Sequence, residues 1–239
     1  MSAEAGAWDA GADAWIALVR EASHGAGHDE VIRELLPPPA GRAAVDIGCG
    51  EGRWTRYLAA IGWHTTGVDR SGPLVAAARE AHPDGNYAVA EATALPLADA
   101  SVDLALCVNV LMHVVELDAA VAELVRVLRP GGAAVIGLVH PVAEAGTFDE
   151  ERDELRLSGY FAVEEHPVPL GHGHVVHQHR TIEQYVRAFL GAGLVLDDLR
   201  EVPGRTGSTP RYLDLRLRKY VTSSPRRGSQ QRSRSALRL

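Results

Sequence analysis

The chain has 239 residues, 46% of them hydrophobic and 23% charged, and this composition excludes a disordered or low-complexity protein. Its formal net charge is −7, but residues 1–219 alone carry −12, because residues 220–239 contain five arginines and no acid. An acidic body repels phosphate backbones, so nucleic acid is not expected to be the main partner. We expect one compact domain followed by a basic, flexible tail over 220–239.

Two cysteines, Cys49 and Cys107, are too few for a disulfide framework and lack CxxC spacing. The N-terminal residues show no basic segment followed by an apolar run. Nowhere does an apolar stretch approach the roughly 18 residues that cross a bilayer. The sequence therefore predicts a cytoplasmic protein with no membrane partner.

Helical periodicity covers about residues 8–36, with Asp29 as a possible N-cap within it. Consecutive prolines at residues 37–39 end this region, because proline cannot continue a helix. We expect residues 1–36 to form a helical lid, and residues 40–219 to form the main domain.

From residue 43 onward, short apolar runs alternate with amphipathic segments. Ser71 is a candidate N-cap for one of the intervening helices and Asp118 for another. The alternation is typical of a parallel, doubly wound sheet with helices on both faces. The predicted strands are "AAVDIG", "HTTGVD", "NYAVAEA", "SVDLALCVNV" and "GGAAVIGLVHP".

The pattern changes after residue 141. Residues 142–173 are predicted to be irregular with a short helix at about 149–157, and we expect the segment 142–180 to be an insertion that builds the acceptor pocket. "HVVHQHR" is a possible strand, and Thr181 can cap the helix "IEQYVRAFLGAG". "LVLDDLREV" and "RYLDLRLRKY" are predicted to pair as two antiparallel closing strands.

A glycine-rich turn follows the first predicted strand and opens the first helix of the alternation. Gly48, Gly50 and Gly52 allow the backbone to turn tightly and to approach a ligand with no Cβ in the way. Arg53 stands where a dinucleotide fingerprint needs glycine, and the turn lacks the Gly-Lys-Ser/Thr ending of a P-loop. Asp46, two residues before the first glycine, suits a ligand with a cationic end, such as an ammonium or sulfonium group.

Two further acids end the next two predicted strands. Asp69 can accept hydrogen bonds from both hydroxyls of a ribose, although a dinucleotide enzyme would use the same position. Glu91 can accept from an adenine amino group, or the neighbouring Ala92 N–H can face the ring. Asp46, Asp69 and Glu91 thus follow successive strands at the sheet edge where open α/β proteins bind ligands.

These motifs together resemble the class I S-adenosylmethionine (SAM)-dependent methyltransferases, and in particular bacterial small-molecule enzymes of that family. The resemblance is carried by "VDIGCGEGR", "GVDRS", "AEATALPLADASVDLALCVNVLMHV" and "LVRVLRPGGAAVIG". It implies a Rossmann-like α/β fold with a seven-stranded, mostly parallel sheet in the order 3-2-1-4-5-7-6, the seventh strand being antiparallel. It also implies SAM as cofactor and S-adenosylhomocysteine as product.

The resemblance also assigns the cofactor site. The glycine turn would surround the methionine part, Asp69 the ribose, and Glu91 and Ala92 the adenine. Glu91 departs from the aspartate that is frequent in the family. The implied cofactor-binding residues are Asp46, Gly48, Cys49, Gly50, Gly52, Asp69, Arg70, Glu91, Ala92 and Asn109.

Methyl transfer to a phenol or alcohol needs a base, for which histidine is the usual candidate near neutral pH. The candidate bases lie after the fourth and fifth strands and in the histidine-rich segment: His113, His140, His177 and His179. The candidate acceptor-binding residues are Trp15, Met112, Tyr160, Phe161 and Arg180. No metal site is predicted, because His172 and His174 face away from His177 and His179 on a regular strand.

The sequence therefore predicts an enzyme that methylates an oxygen or nitrogen atom of a small molecule of secondary metabolism. Methylation of RNA or protein is an alternative supported only by the basic tail. A non-catalytic SAM-binding module and a nicotinamide oxidoreductase are further alternatives. The sequence leaves open the acceptor, the choice of atom, and whether the protein is a monomer or a homodimer.

Overall fold

The structure is a computed structural model that describes residues 3–20, 26–39, 42–149, 154–162, 165–204 and 207–221. Most of the predicted basic tail, residues 222–239, lies outside the described residues. The helices are α1 (Ala3–Arg20), α2 (Ala26–Leu35), α3 (Arg53–Ala60), α4 (Gly72–Ala81), α5 (Leu117–Val127), α6 (Pro141–Glu144) and α7 (Ile182–Gly191). The strands are β1 (Ala43–Ile47), β2 (His64–Asp69), β3 (Asn86–Val89), β4 (Val102–Val108), β5 (Leu128–Val139), β6 (Gly146–Asp149), β7 (Glu154–Leu157), β8 (Glu165–Leu170), β9 (Gly173–Gln178), β10 (Leu194–Pro203) and β11 (Pro210–Lys219).

A seven-stranded sheet forms the centre of the described chain, in the order β10-β11-β5-β4-β1-β2-β3. β1 is parallel to β2 and to β4, whereas β11 is antiparallel to both of its neighbours, β5 and β10. This confirms the predicted α/β fold, with one antiparallel strand in a mostly parallel sheet.

Helices cover both faces of this sheet, because β4 carries apolar side chains on both of its faces, Asp103 being its one charged residue. Leu104 and Leu106 pack with α2 and α3, while Ala105 and Cys107 pack with α5 and α7, as the alternation of a strand requires. Phe189 of α7 is fully buried on the second side. Burial of each large apolar side chain contributes about 1.5–3 kcal/mol, so these two layers fix the sheet that carries the site.

The helix starts follow the predictions in part. Ser71 caps α4, accepting a hydrogen bond from Leu74 N at 3.4 Å, and Thr181 forms a capping box with Gln184 at the start of α7. The prediction for Asp118 was wrong, because α5 begins at Leu117, so this aspartate lies in the first turn, where it faces the positive end of the helix dipole.

Asp29 was also predicted wrongly as an N-cap. α2 begins at Ala26, three residues earlier, and places Asp29 in its first turn. There its carboxylate forms an ion pair with Arg53 Nη1 and lies 3.8 Å from Arg33 Nη2. The residue therefore ties α2 to the start of α3 instead of capping its own helix.

The short helix predicted over 149–157 and the irregular structure predicted over 142–173 are also wrong. β6 pairs with β7, and β8 pairs with β9, so that this region contains two antiparallel hairpins. Glu154, Leu155, Arg156 and Leu157 alternate polar and apolar residues, which suits a strand better than a helix. Among the described residues, no helix is long and apolar enough to span a membrane.

Candidate active site

The glycine turn after β1 approaches two neighbouring elements closely. Gly48 has φ +69°, and a Cβ there would lie 2.2 Å from Val110 Cγ2. Gly50 has φ +55°, and a Cβ there would lie 3.2 Å from Trp15 Nε1, which α1 brings over the turn. Both positions therefore require glycine for backbone conformation and for space.

Asp69, the last residue of β2, fixes the turn from the other side. Its Oδ2 accepts a hydrogen bond from Gly50 N and its Oδ1 accepts one from Ser71 N, each at 2.8 Å. Burial raises the pKa of this carboxyl above its ordinary value, although the two backbone N–H groups oppose that shift. A carboxylate has about four acceptor positions, so Asp69 can accept from a ligand as well as from the backbone.

A cavity of about 620 Å³, including its open mouth, lies against this turn at the carboxyl ends of β1, β2, β3 and β4. Seven of the predicted cofactor residues line it: Gly48, Gly50, Asp69, Arg70, Glu91, Ala92 and Asn109. The other lining residues are Trp8, Trp15, Val68, Leu74, Ala90, Val108, Val110, His113 and Val114.

The apolar part of the lining was not predicted as cofactor-binding. Val68 is the next-to-last residue of β2, Leu74 lies in the first turn of α4, and Val110 and Val114 lie in the loop after β4. In the sequence, these four residues are recognisable only as apolar residues in or beside an apolar segment. Any core residue gives the same signal, so it does not single out a ligand contact.

Three predicted cofactor residues lie behind the cavity wall rather than in it. Asp46 is 2% exposed, and its Oδ2 accepts a hydrogen bond from Thr55 Oγ1 at 2.6 Å. Burial raises its pKa to about 7. Cys49 is buried, which raises its thiol pKa, and Gly52 is the N-cap of α3 with φ +83°. These residues shape the turn from behind.

Within the cavity lining, Arg70 and Glu91 form an ion pair, with Arg70 Nη2 3.3 Å from Glu91 Oε1. Asn109 has φ +57°, and its Oδ1 is buried without a hydrogen-bond partner among the described residues. An unsatisfied buried acceptor at a cavity wall suits a ligand that brings a donor.

His113 is the predicted base that lines the cavity. Its Nδ1 lies 3.0 Å from Val176 O, and its ring packs edge-on against Trp8 and against His177, with centroid distances of 4.9 Å and 4.5 Å. Burial, assisted by His177, lowers its pKa to about 3. His113 is therefore a neutral ring at neutral pH.

The other three histidines do not line the cavity. His140 is 1% exposed, with Nδ1 accepting from Val142 N at 3.1 Å and Nε2 lying 3.0 Å from Glu201 Oε1. His177 and His179 both face Glu144, an acid that sequence reasoning missed. The structure thus brings His113, His177 and His179 together and places His140 elsewhere.

The predicted acceptor-binding residues are dispersed. Trp15 lines the cavity, whereas Met112 is 1% exposed in the apolar core. Tyr160 Oη accepts from Ile182 N at 3.2 Å, and Phe161 is 85% exposed. The guanidinium of Arg180 donates to the carbonyl oxygens of the loop after β4: Leu111, Val114 and Val115.

The residues at the cavity fit SAM. Asp69 offers acceptors for the ribose hydroxyls, the bare glycines leave room for the methionine part, and Asn109 offers a buried acceptor. The acidic body also favours a cationic ligand. Within the part of the chain that the structure describes, no cluster of three or more His, Cys, Asp or Glu residues is placed to hold a metal ion.

The structure is an α/β domain with a cavity at the carboxyl ends of its parallel strands, and comparison with known proteins shows which family it matches. Residues 45–136 match a family model described as a methyltransferase domain. A malonyl-[acyl-carrier protein] O-methyltransferase of Pectobacterium atrosepticum is 36% identical over 103 residues, 43% of this chain and 41% of that protein. A probable SAM-dependent methyltransferase of Mycolicibacterium smegmatis is 32% identical over 126 residues, 53% of this chain and 48% of that protein. The chain thus spans less than half the length of these curated relatives.

Solved structures match over more of the chain. A SAM-dependent methyltransferase from Mesorhizobium loti has a TM-score of 0.73 at 27% identity, covering 82% of this chain and 99% of that one. A Burkholderia thailandensis 1,6-didemethyltoxoflavin-N1-methyltransferase, solved with bound 1,6-didemethyltoxoflavin and S-adenosylhomocysteine, shares the fold with a TM-score of 0.61 at 20% identity, covering 90% of this chain and 85% of that one. The domain is that of the class I SAM-dependent methyltransferases, which confirms the predicted family and its cofactor, SAM.

Proposed function

We propose that this protein transfers a methyl group from SAM to an oxygen or nitrogen atom of a small molecule. The observation that carries the proposal is the cavity itself, which joins Asp69 and the glycine turn on one side to Trp8 and His113 on the other. α1 lines one side of this cavity with two tryptophans, and a concave pocket suits a small acceptor better than a folded macromolecule.

The cofactor would be held by the residues that line the turn. Asp69 would accept from the ribose hydroxyls, Gly48 and Gly50 would admit the methionine part, and Glu91 with Ala92 would lie at the adenine. Asp46, Cys49 and Gly52 would act by shaping this turn. When bound, SAM supplies an activated methyl group that is ready for displacement by a nucleophile.

The remaining residues would receive and orient the acceptor. We propose that α1, within the predicted lid 1–36, excludes water from the site through Trp8 and Trp15, and that the insertion 142–180 forms the far wall. A histidine on that wall would take the acceptor's proton. Two similar proteins carry names that specify O- and N1-methylation, so both atoms stay open for this chain, as does a role in secondary metabolism.

The proposal is tested first by cofactor binding. In calorimetry with S-adenosylhomocysteine, Asp69→Asn should weaken affinity by about 10- to 100-fold, since hydrogen bonds to a charged group contribute about 1.5–3 kcal/mol. Asp198→Asn is the matched control, because Asp198 forms an exposed ion pair with Arg200 on β10, at the edge of the sheet. Absence of binding by the unmodified protein, or equal binding by Asp69→Asn, would contradict the proposed cofactor site.

The acceptor class is tested with methyl-labelled SAM and a lysate of the source organism. Label in the small-molecule fraction is expected, and mass spectrometry of that product would identify the methylated atom. Label in RNA or protein would overturn the substrate class, and truncation at residue 221 would then show whether the basic tail recruits the macromolecule.

A further inference from the structure

We infer that Glu144 and His177 form the proton-accepting pair of the acceptor site, and that the acceptor presents an ionisable hydroxyl group. This inference rests on the proposed methyl transfer. Two contacts support it. Glu144 Oε1 lies 2.9 Å from His177 Nδ1, and the His177 ring packs against His113, which lines the cavity.

Glu144 lies in a buried position, where an ionised carboxylate is energetically unfavourable. Its side chain is 3% exposed at the end of α6, and its Oε2 has no hydrogen-bond partner among the described residues. His177 and His179 both face it, and His179 Nδ1 lies 3.6 Å from Oε2. Burial of a carboxylate is unfavourable unless partners compensate it, so a role for the charge is a better explanation than packing.

Glu144 determines which nitrogen of His177 is basic. An ionised carboxylate can only accept, so His177 Nδ1 carries the hydrogen and Nε2 keeps the lone pair. This arrangement, in which a buried acid fixes the tautomer and orientation of a histidine, is the one that supports general-base catalysis by imidazole. The His177 side chain is 14% exposed, and its ring lies against His113, which lines the cavity.

The other three candidate bases are less suited to this role. His113 is held neutral by burial, which lowers its pKa to about 3. His140 accepts from Val142 N with Nδ1, so it must direct its hydrogen at Glu201 and has no lone pair left. His179 is 1% exposed in its side chain, and its Nε2 lies 3.0 Å from Tyr160 O.

The reaction balances with these groups. The acceptor oxygen gives its proton to His177 Nε2 and uses its freed electron pair to bond the methyl carbon, while the former carbon–sulfur pair stays on sulfur. The His177 imidazolium, stabilised by Glu144, later releases the proton to solvent. A neutral amine already has its lone pair and needs no base before transfer, so the pair indicates a hydroxyl acceptor.

The tautomer is tested first, without cofactor or acceptor. In nitrogen-15 NMR of histidine-labelled protein, His177 should be protonated at Nδ1, and Glu144→Leu should shift it toward the Nε2-protonated form. Glu201→Gln changes the carboxylate of the second histidine pair and should leave the His177 signal unmoved. An Nε2-protonated His177 in the unmodified protein would overturn the inference.

The chemistry is tested with labelled SAM and three probe acceptors: catechol, the more acidic 4-nitrocatechol, and benzylamine. Catechol should be methylated, and Glu144→Gln and His177→Asn should each lower kcat by about 100-fold or more, as loss of a general base does. The loss should be far smaller with 4-nitrocatechol, which ionises without help. Circular dichroism and S-adenosylhomocysteine affinity should be unchanged in both variants.

The outcomes separate the two proposals. Labelling of benzylamine alone, no labelling of either catechol, or equal losses on both catechols overturns the inference if the unmodified protein still binds S-adenosylhomocysteine. Failure of that binding would instead count against the proposed function. If Glu144→Gln does not fold, His177→Asn decides the same question.

Discussion

The two sides of the cavity are built differently. The proposed cofactor wall consists of Gly48, Gly50 and Asp69, which come from consecutive β-strand ends, and the Asp69 carboxylate accepts hydrogen bonds from the backbone of Gly50 and Ser71. The proposed acceptor wall consists of Trp8 and His113, which line the cavity, together with His177, whose ring packs against His113, and Glu144, which pairs with His177. These four residues come from α1, the loop after β4, β9 and α6. Residues that belong to local motifs at strand ends can be predicted from the sequence. Residues from four distant segments come together only through the packing of those segments.

The largest effect on stability is expected beneath the cofactor wall, at Asp46. Its raised pKa of about 7 means that the folded state binds this proton more tightly than the unfolded state does. The free energy of unfolding should therefore fall as pH rises from about 4 to about 7. Asp46→Asn keeps an acceptor for Thr55 and should stabilise the protein by up to about 4 kcal/mol near pH 8, with little effect near pH 4.

Thermal unfolding at both pH values measures this effect, with Asp198→Asn as the control for loss of an exposed charge. Equal stabilisation at the two pH values would show that Asp46 is ionised in the folded protein. The cofactor wall would then be backed by a charge that could act directly on a cationic ligand.

The next effect is expected in the cofactor wall itself. Gly48→Ala places a Cβ 2.2 Å from Val110 Cγ2 and strains a residue at φ +69°. Strain and overpacking each cost about 1–3 kcal/mol, so S-adenosylhomocysteine affinity in calorimetry should fall by about 100-fold or more.

Gly62→Ala is the matched control, because Gly62 also has positive φ, +101°, but its added Cβ would lie 3.6 Å from Pro39, away from the cavity. Gly62→Ala should lower the melting temperature without lowering the affinity for S-adenosylhomocysteine. The double variant Gly48→Ala with Val110→Ala should recover part of the affinity, and failure to do so would mean that backbone strain alone causes the loss.

A smaller effect is expected on the acceptor wall. Trp8 contacts Trp15 and His113 edge-on, with centroid distances of 5.5 Å and 4.9 Å. Aromatic pairs of this kind contribute about 0.5–1.5 kcal/mol, so Trp8→Ala should lower the affinity for S-adenosylhomocysteine by about two- to tenfold. Trp8→Phe keeps an aromatic ring and should bind nearly normally. If Trp8→Ala lowered the affinity for S-adenosylhomocysteine as much as Gly48→Ala does, the two walls would contribute equally to cofactor binding, contrary to this prediction.

The smallest effect is expected at Phe161, which is 85% exposed. Phe161→Ala should change the free energy of unfolding by less than about 0.5 kcal/mol and leave S-adenosylhomocysteine affinity unchanged. A clear rise in the KM of catechol with this variant would restore Phe161 as an acceptor contact, and would extend the acceptor wall beyond the residues that now line it.

The sequence by itself determined the sheet and the cofactor wall. Apolar runs between helices specify parallel strands, so the ends of β1 and β2 had to meet at one edge with Gly48 and Asp69 on them. Ser71 and Thr181 were predictable as caps because capping depends on neighbours three residues away.

Only the tertiary structure showed which residues come together at the proposed acceptor wall. Glu144 lies 33 residues before His177, in a segment whose short hairpins give weak periodicity, so nothing local pairs the two residues. The same packing separated Asp46 from the cavity it was expected to line and buried Met112 in the core. A local motif fixes backbone geometry within a few residues, but contacts between distant side chains depend on the packing of the whole fold.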